Sequence, residues 1–401
     1  MSVYRPTDAR EVVDIVAAAA AERRSLEICA GGSKRALGRP VRADAALDVS
    51  GIAGVVNYEA AELVLTARPS TPLAEIETAL RGQGQRLAFE PPQWLDLLGG
   101  GGTPTLGGVL ACNLSGPRRV RAGAARDFIL GFSAVSGRGE LFKAGGKVVK
   151  NVTGFDLSKL MVGSFGTLAV LTEVTLKVMP RPETECTILL QGFGAAKALD
   201  VMARALNSPH EVVCAAHLPE FSALRSCVAA QGAVTALRLE GPAPSVAFRA
   251  GAIEQMFGGG ARLETESSAR FWEEVGEVRA LLPQGSQLVW RLCTTPSLSA
   301  DVVESIREKL AGAEAYFDWG GGLVWLSVDA AEAGADAGAA VVRGAINGCG
   351  HATLVVAPEV LRDTVEVFQP SEPALAALEA RVKGNFDPVK LFNPGRMRKA
   401  M

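Results

Sequence analysis

The chain has 401 residues, which at ~100–200 residues per domain suits two or three domains. Its 41 Lys and Arg against 43 Asp and Glu leave a formal charge of −2, so the basic balance of a polyanion-binding protein is absent. A content of 48% hydrophobic and 21% charged residues excludes wholesale disorder and supplies a sizeable core.

The longest apolar runs, such as Val12 to Ala21, are broken and fall short of the ~20 residues a membrane span needs. The opening Met1-Ser2-Val3-Tyr4-Arg5-Pro6 carries no apolar signal region behind a basic one. Seven cysteines lie scattered without a Cys-x-x-Cys pair. The expectation is a cytoplasmic chain with reduced thiols and no metal or iron–sulfur site.

In chain order, Thr7 is placed to cap a helix whose apolar face is Val12, Ile15, Val16, Ala19 and Ala20. Residues 26–30 read as a strand that runs straight into Gly31-Gly32-Ser33-Lys34, and residues 62–67 read as another strand. Thr71 as cap and Pro72 at the first helical position start a second helix, with Leu73, Ile76 and Leu80 on one face. Glycine then concentrates between Gly99 and Gly166. Residues 128–135 and 140–143 flank Ser136-Gly137-Arg138-Gly139, a hairpin signal. Val174, Leu176 and Val178 alternate with Thr175 and Lys177 until Pro180-Arg181-Pro182 ends the strand, and a domain boundary is expected there. Beyond it, strand-like runs (187–191, 234–239, 288–292, 323–328) alternate with helical ones (195–206, 271–282, 299–310, 373–382), which predicts an α+β layer. In the third helix Ser299 is the expected cap. A turn-rich tail from Phe386 to Gly395 follows, and there is no internal repeat.

Consecutive small residues after a strand present backbone N–H groups that can hold phosphate oxygens, and Lys34 and Arg35 add positive charge. Taken singly, a Gly-Gly turn is an ordinary turn. The run is neither a Walker loop nor the Gly-x-Gly-x-x-Gly fingerprint of a Rossmann nicotinamide enzyme. The second stretch is more specific. Thr105-Leu106-Gly107-Gly108 leads through Ala111 and Asn113 to Ser115-Gly116; Arg126-Asp127 precedes Leu130-Gly131; Lys150-Asn151-Val152-Thr153-Gly154-Phe155-Asp156-Leu157 precedes Gly163-Ser164-Phe165-Gly166-Thr167-Leu168.

These motifs, in this order, resemble those of the vanillyl-alcohol-oxidase (PCMH-type) FAD-binding flavoproteins. Within them the run from Gly146 to Leu168 and the ending Phe386-Asp387-Pro388-Val389-Lys390-Leu391-Phe392-Asn393-Pro394-Gly395-Arg396-Met397 are similar to those of the FAD-binding companion subunits of bacterial glycolate oxidases. The resemblance implies an α+β chain. A two-subdomain FAD-binding domain would occupy residues 1–180, an α+β cap domain residues 183–384, and a tail, 385–401, would return to the first domain. It implies that Ala30, Gly31, Gly32, Ser33 and Lys34 hold one side of the FAD pyrophosphate. Thr105, Gly107 and Gly108 would approach from the other subdomain, with Ala111, Asn113, Ser115 and Gly116 nearer the flavin. Asp127, Asn151, Gly154, Asp156, Gly166, Thr167 and Leu168 would line the ring or adenosine segments. Where many relatives tether FAD through a His in the first loop, Ser33 and Lys34 stand here, so non-covalent FAD is expected. Phe165 also replaces a Glu and Ala169 a Gly of the family pattern, and Arg121-Ala122-Gly123 lacks the family's aromatic.

Related 2-hydroxy-acid dehydrogenases carry a His-x-His metal pair. His210, His217 and His351 form no such pair, so no metal site is expected and no catalytic base is assigned. His351, and the arginines at 118, 119, 121 and 126, are candidates to face the cofactor, a substrate or a partner. Lys147 and Lys150 are candidates to favour a reduced anionic flavin. Trp272 and Trp290 read as core residues. The implied function is that of a FAD-binding glycolate oxidase (glycolate dehydrogenase) subunit, with a larger FAD-binding subunit and an iron–sulfur subunit as partners. The competing readings are a self-sufficient FAD-dependent 2-hydroxy-acid or alcohol dehydrogenase and a non-catalytic FAD-binding assembly subunit.

Overall fold

The computed structural model describes residues 2–147 and 154–399. The expectations for Lys150 and Asn151 lie outside the described residues. Three strands, β1 (Ser2–Tyr4), β2 (Leu26–Cys29) and β3 (Ala45–Asp48), form a parallel sheet in the order β1-β3-β2. Helix α1 (Ala9–Glu22) covers it, burying Val12, Val16 and Ala19. Its cap is Asp8 rather than Thr7: the Asp8 carboxylate accepts from the N–H groups of Arg10 (2.8 Å) and Glu11 (3.0 Å). Thr7 instead donates to the Glu11 side chain, so two adjacent cap-forming residues divide the task.

The second subdomain is an antiparallel sheet of β4 (Val55–Glu59), β5 (Val64–Ala67), β7 (Ile129–Ser136), β8 (Leu141–Gly145) and β9 (Ala169–Lys177), in the order β4-β5-β9-β7-β8. Strands β6 (Gln85–Arg86) and β10 (Met179–Pro180) pair separately. Helix α2 (Leu73–Arg81) buries Leu73, Ile76 and Leu80 as its spacing predicts. Thr71 does not cap it. Its hydroxyl donates to the carbonyls of Gly54 (3.1 Å) and Arg68 (2.7 Å), which fixes the preceding loop.

From Thr184 the chain builds an eight-stranded antiparallel sheet. Its strands are β11 (Thr184–Gln191), β12 (Cys214–Leu218), β13 (Val234–Gly241), β14 (Ala261–Glu264), β15 (Gln287–Thr294), β16 (Glu314–Asp318), β17 (Leu323–Asp329) and β18 (Gly350–Val356). Their order is β14-β11-β13-β12-β16-β17-β15-β18. The alternation of strand residues divides the cap into two layers. Trp290, Leu292, Leu326 and Leu354 pack under the helices Ala195–Leu206, Ala243–Phe257, Ser299–Arg307 and Ala339–Ile346. Val289, Trp325, Tyr316 and Leu323 face the other way and share one core with Phe89, Trp94 and Leu97 of the first half. Trp94 meets Trp325 edge-on at 5.3 Å.

The helix expected over 271–282 runs instead from Thr265 to Gly276, because Val278 at φ 59° stops it and a 3-10 turn follows. The helix expected over 299–310 ends at Arg307, and Ser299 folds back onto the Pro296 carbonyl instead of capping it.

A polar cluster pins the same interface. Glu240 receives Arg86 (2.5 Å), Arg118 (2.8 Å) and Arg238 (3.1 Å), while Arg238 also bonds Glu185 (2.5 Å) and Glu90 (3.0 Å). Burial would raise the Glu240 pKa, but Arg238, Arg86 and Arg118 together bring it down to about 2.

Candidate cofactor cleft

Strand β2 delivers the chain into Ala30-Gly31-Gly32-Ser33-Lys34, and there the two glycine-dense segments meet. Thr103 N–H donates to the Gly31 carbonyl at 2.6 Å. A Cβ on Gly31 would sit 1.9 Å from the Thr103 carbonyl oxygen, and one on Gly102 would sit 2.1 Å from the Gly31 carbonyl oxygen. Only glycine permits this approach. Gly32, at φ 78°, faces open space, where an added Cβ would meet nothing within 4 Å. Thr105 then caps α3 (Leu106–Cys112), its hydroxyl accepting from Gly108 N–H at 3.3 Å.

These segments wall an open, elongated cleft. Of the residues named from the sequence, Ala30 to Lys34 line one side. Thr105, Gly107, Gly108 and Ala111 line another, and Gly166 a third. Lys34 is 8% exposed; its ammonium donates to the Gln93 carbonyl (2.6 Å) and Ser33 Oγ (3.0 Å) and forms no ion pair among the described residues. Burial pushes its pKa down. A positively charged wall, exposed backbone amides and bare glycine surfaces fit an elongated anionic ligand such as a dinucleotide.

The other expected residues within the described part do not line the cleft and make contacts of their own. Asn113 ends α3 in a left-handed conformation and accepts from Arg126 N–H at 3.2 Å. Ser115 Oγ accepts from Ala125 N–H at 2.9 Å, and Asp127 accepts from Ala124 N–H at 2.9 Å. Gly116 packs against the Glu90 carbonyl. Thr167 donates to the Ser164 carbonyl at 2.7 Å, and Leu168 is buried. Gly154 is exposed, and Asp156 caps the helix Leu157–Met161 and pairs with Lys159. Lys147 is engaged by Glu59.

Many lining residues escaped the sequence reading, among them Ile28, Pro69, Ser164 and Phe165 and two from the tail, Asn393 and Arg396. Asn393 accepts from Ile28 N–H (2.8 Å) through its carbonyl oxygen and donates its amide to the Phe165 carbonyl (2.8 Å). It thereby ties β2 to the loop carrying Gly166. Arg396 donates to the carbonyls of Lys34 (2.8 Å) and Arg35 (3.1 Å). The Asn-Pro-Gly turn was the available signal, but nothing in it says which strand it reaches.

The histidines part company. His217 is buried on β12, whereas His351 is exposed on β18 directly across from Cys293. Trp272 and Trp290 lie in the core, their Nε1 groups donating to Thr187 Oγ1 (2.8 Å) and the Ala337 carbonyl (3.0 Å). Among the described residues no group of three or more His, Cys, Asp or Glu gathers as a metal site.

Comparison with known proteins adds the following. The model of a FAD binding domain matches residues 2–145. The sequence is 35% identical over 379 residues to glycolate oxidase subunit GlcE of Escherichia coli (strain K12), covering 94% of each chain. It is 33% identical over 135 residues to glycolate oxidase subunit GlcD of Bacillus subtilis (strain 168), covering 34% of this chain and 27% of that one. The solved structure of 4-ethylphenol oxidase from Gulosibacter chungangensis matches 99% of this chain and 89% of its own, with a TM-score of 0.72 at 15% identity, a likeness of fold.

Proposed function

The chain belongs to the GlcE family of FAD-binding glycolate oxidase subunits, and from that premise we propose that it works beside a larger FAD-binding subunit and an iron–sulfur subunit in oxidising glycolate to glyoxylate. It is a FAD-binding oxidoreductase subunit of a multi-subunit enzyme, with an α+β fold. FAD is held without a covalent tether, since the first glycine loop offers Ser33 and Lys34 and no histidine. No helix among the described residues is long and apolar enough to cross a membrane. The proposed complex works in the cytoplasm, with membrane association through its partner subunits as the alternative.

The observation that carries this reading is the crossing of Gly31 and Gly102 at the cleft, which brings the loops 30–34 and 103–108 to one site. The amides of both loops would hold the pyrophosphate, with Lys34 supplying long-range positive charge from the wall. Ala111, Asn113, Ser115 and Gly116 would support the ring end, as would Gly166 across the cleft, with Asp127, Gly154, Asp156, Thr167 and Leu168 holding the segments around it. FAD, when bound, supplies the two-electron acceptor for hydrogen removed from the hydroxyl-bearing carbon. The protein's part is to bind and orient the cofactor.

Gly32→Val tests the placement. Its side chain would enter open space, so the fold should survive a cost of about 1–2 kcal/mol for the left-handed backbone. The purified variant should lose flavin absorbance after incubation with FAD while keeping the wild-type circular dichroism. A variant as yellow as the wild type would remove the loop from the cofactor site.

A further inference from the structure

Trp319 stands where the cap meets the flavin-binding half, its Nε1 donating to the Gly116 carbonyl at 3.0 Å. Two guanidiniums lie over its ring: Arg119, from the short helix Arg119–Ala122, at 4.2 Å from the centroid, and Arg291, from β15, at 5.0 Å. Arg118, the immediate neighbour of Arg119, is paired with Glu240. Arg119 and Arg291 have no ion pair among the described residues. Burial lowers the Arg119 pKa and the charge of Arg291 lowers it further, so the two cations oppose each other.

The strand geometry brings two more groups to the same place. On β15, Trp290 and Leu292 point into the helix-covered core, so Arg291 and Cys293 share the face toward the flavin-binding half. His351 pairs with Cys293 across the strands and is exposed. The nearest acids are occupied or neutralised. Asp318 accepts from Trp319 N–H at 2.6 Å and burial holds it up to about 7; Asp127 accepts from Ala124 N–H.

Cys293 reports on the resulting field. Burial raises its thiol, but Arg291, a bond from His351 and Arg119 bring it down to about 7. Burial holds Cys112, Cys186, Cys214 and Cys227 above the ordinary thiol value. A site that favours a thiolate favours other anions. Half-buried like charges without an ion-pair partner among the described residues are an unfavourable arrangement that a bound anion would relieve.

We propose that Arg119 and Arg291, stacked on Trp319 with Cys293 and His351 at the rim, form a carboxylate-binding subsite between the two halves of the molecule. Its assignment to the carboxylate of the hydroxy acid rests on the proposed function; the subsite itself rests on the geometry alone.

Cys293 supplies the readout. Iodoacetate carries a carboxylate and iodoacetamide is its neutral counterpart. Both alkylate a thiolate with loss of iodide, so the ratio of their rates at one sulfur cancels the thiolate fraction. On the full chain, peptide mass spectrometry should show iodoacetate labelling Cys293 about 10-fold or more faster than iodoacetamide, with the exposed Cys349 showing no such preference. Oxalate should protect Cys293 and leave Cys349 unaffected. Arg291→Gln and Arg119→Gln should each bring the Cys293 ratio toward that of Cys349, and Arg291→Lys should retain most of it.

A wild-type ratio equal at the two cysteines, no protection by oxalate, or a ratio unchanged in both Gln variants would overturn the proposal. The labelling needs no flavin. Failure to take up FAD therefore refutes the proposed function, and the ratio still judges the subsite.

Discussion

His217 occupies the middle of β12 at 1% exposure, with Nδ1 3.0 Å from Thr235 Oγ1. Burial pulls its pKa from 6.5 down to about 4, so the fold holds it neutral. As pH falls the unfolded chain takes up this proton first. The contribution to stability is complete above about 6.5 and is lost as pH drops toward 4. At about 1.4 kcal/mol per unit, acidification from pH 7 to 5 should cost about 2 kcal/mol through this residue. His217→Gln should lose that part of the pH dependence, which urea titrations at the two pH values would measure. An unchanged slope would mean that the imidazole reaches water.

Among the loops and strands, Gly108 illustrates how a position can matter to the cleft and little to the fold. A Cβ there would lie 3.4 Å from Thr105 Oγ1 and 3.8 Å from Lys34 Cγ, ordinary contact distances. Gly108→Ala should therefore keep the wild-type melting temperature within a few degrees. Gly108→Val, with methyls projecting beside the Lys34 stem, should expel the cofactor and leave the folded chain colourless. If both variants bind FAD as the wild type does, α3 stands back from the cofactor. Glycine loops of this kind are legible in sequence because they follow strand runs directly, as Gly31 follows β2, and because their bareness is a chemical signal in itself. Strands β12, β14, β16 and β18 of the eight-stranded sheet were missed. Cys214-Ala215-Ala216-His217-Leu218 lacks β-branched residues, and its strand character comes from pairing with β13 on one side and β16 on the other. The Thr7 cap went astray for a different reason: Asp8 is equally able to cap, and only the tertiary path of the chain decides between them. Arg119 and Arg291 are separated by most of the cap domain in sequence, so their meeting on Trp319 had no local signature.

At the level of the whole molecule, an apolar core and one ion cluster join the two halves, and Glu240 is the hub of that cluster. Removing it leaves Arg86, Arg118 and Arg238 crowded at the interface with fewer acids. Glu240→Ala should destabilise by about 3–5 kcal/mol, as loss of one member of a buried ion pair does. Chemical denaturation should show this as a lower midpoint, and a loss under 1 kcal/mol would mean that water enters the cluster. The tail carries a consequence for how the protein is made. Asn393 clasps Ile28, 365 positions earlier, and also the Phe165 carbonyl, so the two lobes of the cleft are latched by a residue made long after both of them. A polypeptide released before Asn393 is made would lack this latch, however complete its glycine loops.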